Sequence, residues 1–130
     1  MKYTISTTTL PNPSALQYLF SQTTWAKNRN EDDIKQLLSQ TKVYVVIKDK
    51  QQLIGFGRAI SDGIYRAMLD DIVVDQEYQK QGLGKLIVTE LLDQLKDVET
   101  IFLNTKPELE GFYNKYNFTI SKALTMSLKK

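Results

Sequence analysis

The stretch from Met68 to Asn104 limits the fold more than any other, because its hydrophobic period changes from two to nearly four and back. Up to "DIVVD" the residues read as a strand. From Gly82 onward Leu83, Ile87, Leu91 and Leu95 recur at helical spacing, with Leu86 and Leu92 widening the stripe, and "TIFLN" at 100–104 reads as a strand again. Two strands joined through a helix in one sheet require a crossover, so they lie parallel. Upstream, "KVYVVIK" and "LIGFGRAIS" are split by "DKQQ", and "SDG" at 61–63 turns into "IYRAMLDDIVV"; these predict a three-stranded antiparallel meander. The sum is an α+β fold, a mixed and mostly antiparallel central sheet with flanking helices. A single domain over residues 1–130 is expected, large enough to bury a core without disulfides or metals.

The flanks follow the same rules. Alternation over 2–9 predicts a strand, and 12–22 a helix with Leu16, Leu19 and Phe20 on one face. Asn30 can cap a second helix that carries Glu31, Asp32 and Asp33 in its positive first turn and buries Ile34, Leu37 and Leu38. Pro107 suits the first turn of a further helix bearing Leu109, Phe112, Tyr113 and Tyr116, after which Phe118 to Leu128 is expected to return as strand.

Composition excludes whole classes of chemistry. With no Cys and no His, there is no thiolate nucleophile, imidazole base, disulfide or ordinary zinc site. The net charge of +2 is spread along the chain, which argues against nucleic acid as the main partner. The longest apolar run is five residues, Val43 to Ile47, and "MKYTISTTTL" has no signal-peptide core, so no membrane partner and a cytoplasmic location are expected. Fourteen Lys against three Arg suggest an AT-rich bacterial genome.

The glycines of "QKQGLGK" stand where strand hands over to helix. A helix start leaves up to about four N–H groups unpaired and about half a positive charge, which together hold phosphate. Gly82 and Gly84 remove side chains that would obstruct a large anion and permit positive φ, so the amides of Gln81 to Lys85 can converge as a nest. Turn geometry alone would also account for them. A P-loop is disfavoured because Lys85 is followed by Leu86 where Ser or Thr is needed; a dinucleotide fingerprint would need glycine at Ile87.

"QKQGLG", Gln79 to Gly84, resembles the Q/R-x-x-G-x-G/A signature of the GNAT superfamily of N-acetyltransferases, and it follows a strand ending "DIVVD" as in that family. "FYNKYNF", Phe112 to Phe118, resembles the family's "FYEKLGF" segment. "WAKNR", "LIGFGRAISDG" and "DIVVDQEYQKQGLG" are most similar to small bacterial enzymes and plastid arylalkylamine or serotonin acetyltransferases.

The resemblance implies acetyl-coenzyme A, its diphosphate on the backbone of Gln79, Lys80, Gln81, Gly82, Leu83, Gly84 and Lys85. It implies pairing of the pantetheine arm with a splayed strand end at Ile72, Val73 and Val74, an amide near Val73 polarising the thioester carbonyl. It implies that Tyr113 is the general acid for the departing sulfur, a phenol protonated at neutral pH. The family's glycine before the last Phe is Asn117 here, and the asparagine seven residues before the tyrosine is Lys106, with Asn104 nearby as a coenzyme A contact.

An alkylammonium must lose a proton before it attacks. Without His, the candidates to accept that proton, through water, are Asp70, Asp71, Glu77, Tyr44 and Tyr65, and the resemblance favours Asp71; a structural role bonding a neighbouring strand or Arg58 is its alternative. Trp25, Arg29, Arg58 and Tyr65 are candidates to border the acceptor pocket, and Trp25 reads equally as packing of the helix against the sheet. The expected reaction is direct acetyl transfer to a primary amine, with a small-molecule acceptor favoured. A protein lysine or N-terminal acetyltransferase and a catalytically idle acyl-coenzyme A binding module stand beside it. The resemblance also suggests a homodimer.

Overall fold

The computed structural model describes residues 2–130. Its sheet has five strands in the order β1 (Thr4–Ser6), β2 (Val43–Asp49), β3 (Gln52–Ser61), β4 (Arg66–Val74) and β5 (Thr100–Phe102). The first four pair antiparallel and β5 lies parallel to β4, the consequence of the crossover through α3 (Leu83–Gln94). α1 (Pro13–Phe20) and α2 (Glu31–Ser39) start on side-chain caps: Asn12 accepts from the Ser14 amide, and Asn30 from the Asp33 amide. Such caps satisfy amides that a helix start leaves unpaired, a contribution of roughly 1 kcal/mol each.

Both faces of the sheet are covered, so β2 is apolar on both sides and its residues divide by parity. Val45 and Ile47 join a core with Ile87, Val88, Leu91 and Leu95 of the α3 side, while Tyr44 and Val46 pack with Leu16, Phe20, Ile34 and Leu38 from α1 and α2. Gly57 lets α3 lie close to the sheet: a Cβ there would sit 2.4 Å from Ile87 Cγ2, which no real packing tolerates.

Three expected elements come out differently. The strand over 2–9 is confined to Thr4–Ser6, the residues that pair with Lys48, Ile47 and Val46; Tyr3 instead sets its ring edge-on to Tyr78, centroids 6.0 Å apart. The helix opened by Pro107 begins as a 3-10 turn, Pro107–Leu109, and continues only as the short α4 (Glu110–Asn114). No strand forms over 118–128: Ile120, Leu124, Met126 and Leu128 are 77–89% exposed. Alternation supplies one apolar edge there, yet a strand also needs a neighbour for its backbone groups.

Candidate active site

β4 and β5 pair only from Arg66↔Thr100 to Met68↔Phe102, whereas β4 runs on to Val74. The sheet therefore splays along Leu69–Val74, and the β5-facing side of Ile72, Val73 and Val74 has no strand partner among the described residues. The chain then turns through Asp75, which caps the 3-10 turn Gln76–Tyr78, and reaches the start of α3. Lys80 and Gly82 both have left-handed φ, 64° and 84°. Such alternation bends successive amides toward one point.

That point is left clear by the residues around it. Gly82 stands at the N-cap of α3 with no side-chain cap, and the helix's first backbone bond is from the Leu86 amide to the Gly82 carbonyl, so the amides of Leu83, Gly84 and Lys85 precede it. A Cβ on Gly82 would meet nothing within 4 Å, and one on Gly84 only Phe112 Cζ at 3.8 Å. The flanks are braced: Gln79 Nε2 donates to the Val74 carbonyl at 3.1 Å, the Tyr3 hydroxyl to Gln81 Oε1, and the Tyr116 hydroxyl to the Lys85 carbonyl at 3.1 Å. An open, dipole-backed set of amides of this kind fits a diphosphate.

The splay opens onto a cavity of about 640 Å³. Trp25, Arg29, Asp70, Asp71, Ile72 and Tyr113 all line it. Tyr113 projects from α4 with its ring packed edge-on against Phe112 and Phe118, centroids 4.9 and 5.9 Å away. Burial, and then the neighbouring Tyr116, raise its pKa above the ordinary phenol value, so it is a proton donor at neutral pH.

The acidic wall is built by an irregularity in β4. Asp71 has φ of 55°, and the β3–β4 register shifts between Phe56 and Arg58. Arg58 then reaches both carboxylates, with Nε 2.6 Å from Asp71 Oδ2 and Nη2 3.3 Å from Asp70 Oδ2. Arg29 adds Nη1 at 3.0 Å from Asp71 Oδ2, while its guanidinium lies over the Phe20 and Trp25 rings at 4.8 and 5.8 Å.

Several expected site residues fall elsewhere. Arg58 and Tyr65 do not line the cavity: Arg58 is committed to the two aspartates, and Tyr65 lies in the exposed β3–β4 turn. Tyr44 is buried in the α1–α2 core, and Glu77 sits in the turn before α3, away from the cavity lining. Asp71, expected to take the acceptor's proton through water, borders the cavity with a side chain of 0% exposure that is bonded to Arg58. Arg29 borders the cavity, though its head is occupied by Asp71 and the aromatic pair. Trp25 packs on Phe20 at 6.2 Å and faces the cavity. Asn104 and Lys106 line the cavity from the loop after β5, along with Leu103, Thr105 and Leu109, which carry no chemical signal that a sequence reading could use.

A mixed sheet splayed beside an open helix start is the architecture of an acetyltransferase of the GNAT type. The family model described as the acetyltransferase (GNAT) domain matches residues 9–126, and the chain belongs to that family. It is 32% identical over 120 residues to an "Uncharacterized N-acetyltransferase ycf52" of Porphyra purpurea, an alignment covering 88% of this chain and 68% of the relative. It is 29% identical over 113 residues to "Serotonin N-acetyltransferase 2, chloroplastic" of Oryza sativa subsp. japonica, covering 82% of this chain and 56% of the relative. The chain spans 62%, 39% and 68% of the lengths of three ycf52 relatives. In fold it is similar to a probable acetyltransferase of meticillin-resistant Staphylococcus aureus, with a TM-score of 0.87 at 22% identity, over 98% of this chain and 99% of that one.

Proposed function

We propose that the chain moves an acetyl group from acetyl-coenzyme A to a primary amine by direct transfer, with a small-molecule acceptor. The observation that carries this reading is the open amide cradle at Gly82–Lys85 beside the splayed end of β4. Acetyl-coenzyme A supplies the acetyl group as an activated thioester when bound. The cradle would hold its diphosphate, and the backbone of Ile72 to Val74 would receive its extended arm. Preorganised amides near a developing oxyanion are worth about 3–4 kcal/mol for one donor.

The chain's own residues account for the protons. An ammonium carries two protons that the amide product does not keep. One passes to the acidic wall of the cavity and leaves to solvent. Tyr113 gives its phenolic proton to the departing sulfur and is restored by the second. The absence of Cys removes the usual acyl-enzyme nucleophile and favours direct transfer. The cavity of about 640 Å³ beside the splay has room for a small acceptor.

The bacterial, cytoplasmic setting suggested by composition belongs to this proposal, and the chloroplastic relative puts plastid-bearing organisms beside it. The test is incubation with acetyl-coenzyme A and a panel of monoamines, polyamines and lysine peptides while free thiol is followed. Thiol release with a monoamine is expected. Release only with peptides would redirect the acceptor to protein, and tight coenzyme A binding with no release would mark an idle binding module.

A further inference from the structure

Two adjacent carboxylates lie at the floor of the acceptor cavity, and they are not equivalent. In a regular strand, consecutive residues point to opposite faces. The left-handed Asp71 and the register shift beside Arg58 cancel that alternation, so one guanidinium grips both Asp70 and Asp71. Asp71 is the inner member. Its Oδ2 is taken by Arg58 and Arg29, and its Oδ1 is buried with no hydrogen-bond partner among the described residues. Asp70 is the outer member, with 36% of its side chain exposed where it lines the cavity. Its Oδ1 accepts the Asp71 amide at 2.9 Å, which fixes the carboxylate plane.

We propose that Asp70 takes the acceptor's proton, and that Asp71 with Arg58 and Arg29 forms the buried unit that positions it. The step is balanced: an ammonium N–H bond breaks, an O–H bond forms on Asp70, and the neutral amine keeps its electron pair for attack. This assignment rests on the amine-acetyltransferase reading given above.

The electrostatics suit the role. The charged and titratable groups around Asp70 are Asp71 on its own strand, Arg58 on β3, Arg29 from the segment between α1 and α2, Lys106 from the loop after β5, and Tyr113 from α4. Burial and the Asp71 charge raise the Asp70 pKa, outweighing Arg58, the Asp71 amide and Arg29, which lower it. A carboxylate with raised proton affinity is a better match to an ammonium. Arg58 limits the rise by bonding the ionised form.

Two measurements test the assignment. In the first, kcat and KM of wild type, Asp70→Asn and Asp71→Asn are compared across pH, with 2-phenylethylamine as acceptor. Asp70→Asn is expected to lose roughly 10²- to 10⁴-fold in kcat near neutrality, recovering as pH approaches the amine's own pKa, with coenzyme A affinity retained. Asp71→Asn is expected to lower the melting temperature and raise KM while keeping the acidic limb of the profile. In the second, the Asp70 carboxyl carbon is followed by NMR in wild-type protein without acetyl-coenzyme A, a readout that needs no variant to fold. It is expected to titrate above the ordinary Asp range and to move when the amine is added. An active wild type beside an unimpaired Asp70→Asn, or a carboxyl that titrates at the ordinary value and ignores the amine, would overturn the Asp70 assignment alone. A wild type that acetylates no amine on the panel would overturn the amine reading, and the assignment with it.

Discussion

Replacing Tyr113 by phenylalanine removes one hydroxyl and leaves the ring. The ring is the structural part, held edge-on by Phe112 at 4.9 Å and Phe118 at 5.9 Å with the residue 9% exposed. The hydroxyl makes no hydrogen bond to the described residues, so the roughly 1 kcal/mol that such a bond contributes is not at stake. Tyr113→Phe should therefore melt within a degree or two of wild type, whereas Tyr113→Ala would also leave a cavity costing roughly 3–5 kcal/mol. Loss of a general acid lowers kcat by about 10²- to 10⁴-fold, equivalent to about 3–5 kcal/mol of barrier. KM should change little, because the proton is needed only as the sulfur departs. The pH profile gives a second reading. An acid must be protonated to act, so wild-type kcat falls as pH rises through the Tyr113 pKa, which burial places above the ordinary phenol value. That alkaline limb should vanish in the variant. The assay is steady-state thiol release with saturating acetyl-coenzyme A. A Tyr113→Phe enzyme that keeps wild-type kcat and its alkaline limb would refute the proton-donor role.

Three further outcomes follow from the geometry. Gly82→Ala places a side chain at φ of 84°, a strain of roughly 1–2 kcal/mol, and any relaxation redirects the cradle amides; coenzyme A affinity by calorimetry should fall about tenfold to a hundredfold. Gly84→Ala meets no protein atom nearer than Phe112 Cζ at 3.8 Å and gains helix propensity, so it should melt slightly higher than wild type. Arg58→Ala removes one partner of a buried ion pair and leaves two carboxylates together, a loss of roughly 3–5 kcal/mol by urea unfolding. For Asp70 the sign runs with its raised pKa: the folded state holds that proton more tightly, so stability falls as pH rises through the window between the unfolded and folded values. Asp70→Asn should thus gain relative to wild type at neutral pH, and the gain should fade below the ordinary Asp pKa; equal pH dependence of the two melting curves would contradict this.

What the chain displays in its sequence is what depends on local periodicity. Leu83, Ile87, Leu91 and Leu95 all lie buried against the sheet, and the parallel β4–β5 pair follows from the helix between them. The tail 118–128 has equally clear alternation and no strand, because pairing depends on a neighbour that alternation does not encode. The acidic wall was half legible. The absence of His leaves Asp70 and Asp71 among the candidate proton acceptors, and Asp tolerates left-handed backbone better than most residues. Which of them is exposed and which is buried goes with the left-handed backbone at Asp71 and its contacts with Arg58 and Arg29, none of which the residue types encode. Charge and aromaticity mark Arg58 and Tyr65 as pocket candidates, yet neither property carries a direction.

If the amides at the start of α3 hold the diphosphate of coenzyme A, their signals must respond to it. Titrating coenzyme A into nitrogen-15-labelled protein tests it residue by residue. The backbone signals of Gly82, Leu83, Gly84 and Lys85 should move most, with those of Ile72 to Val74 following. Saturable binding that leaves those signals in place would contradict that contact.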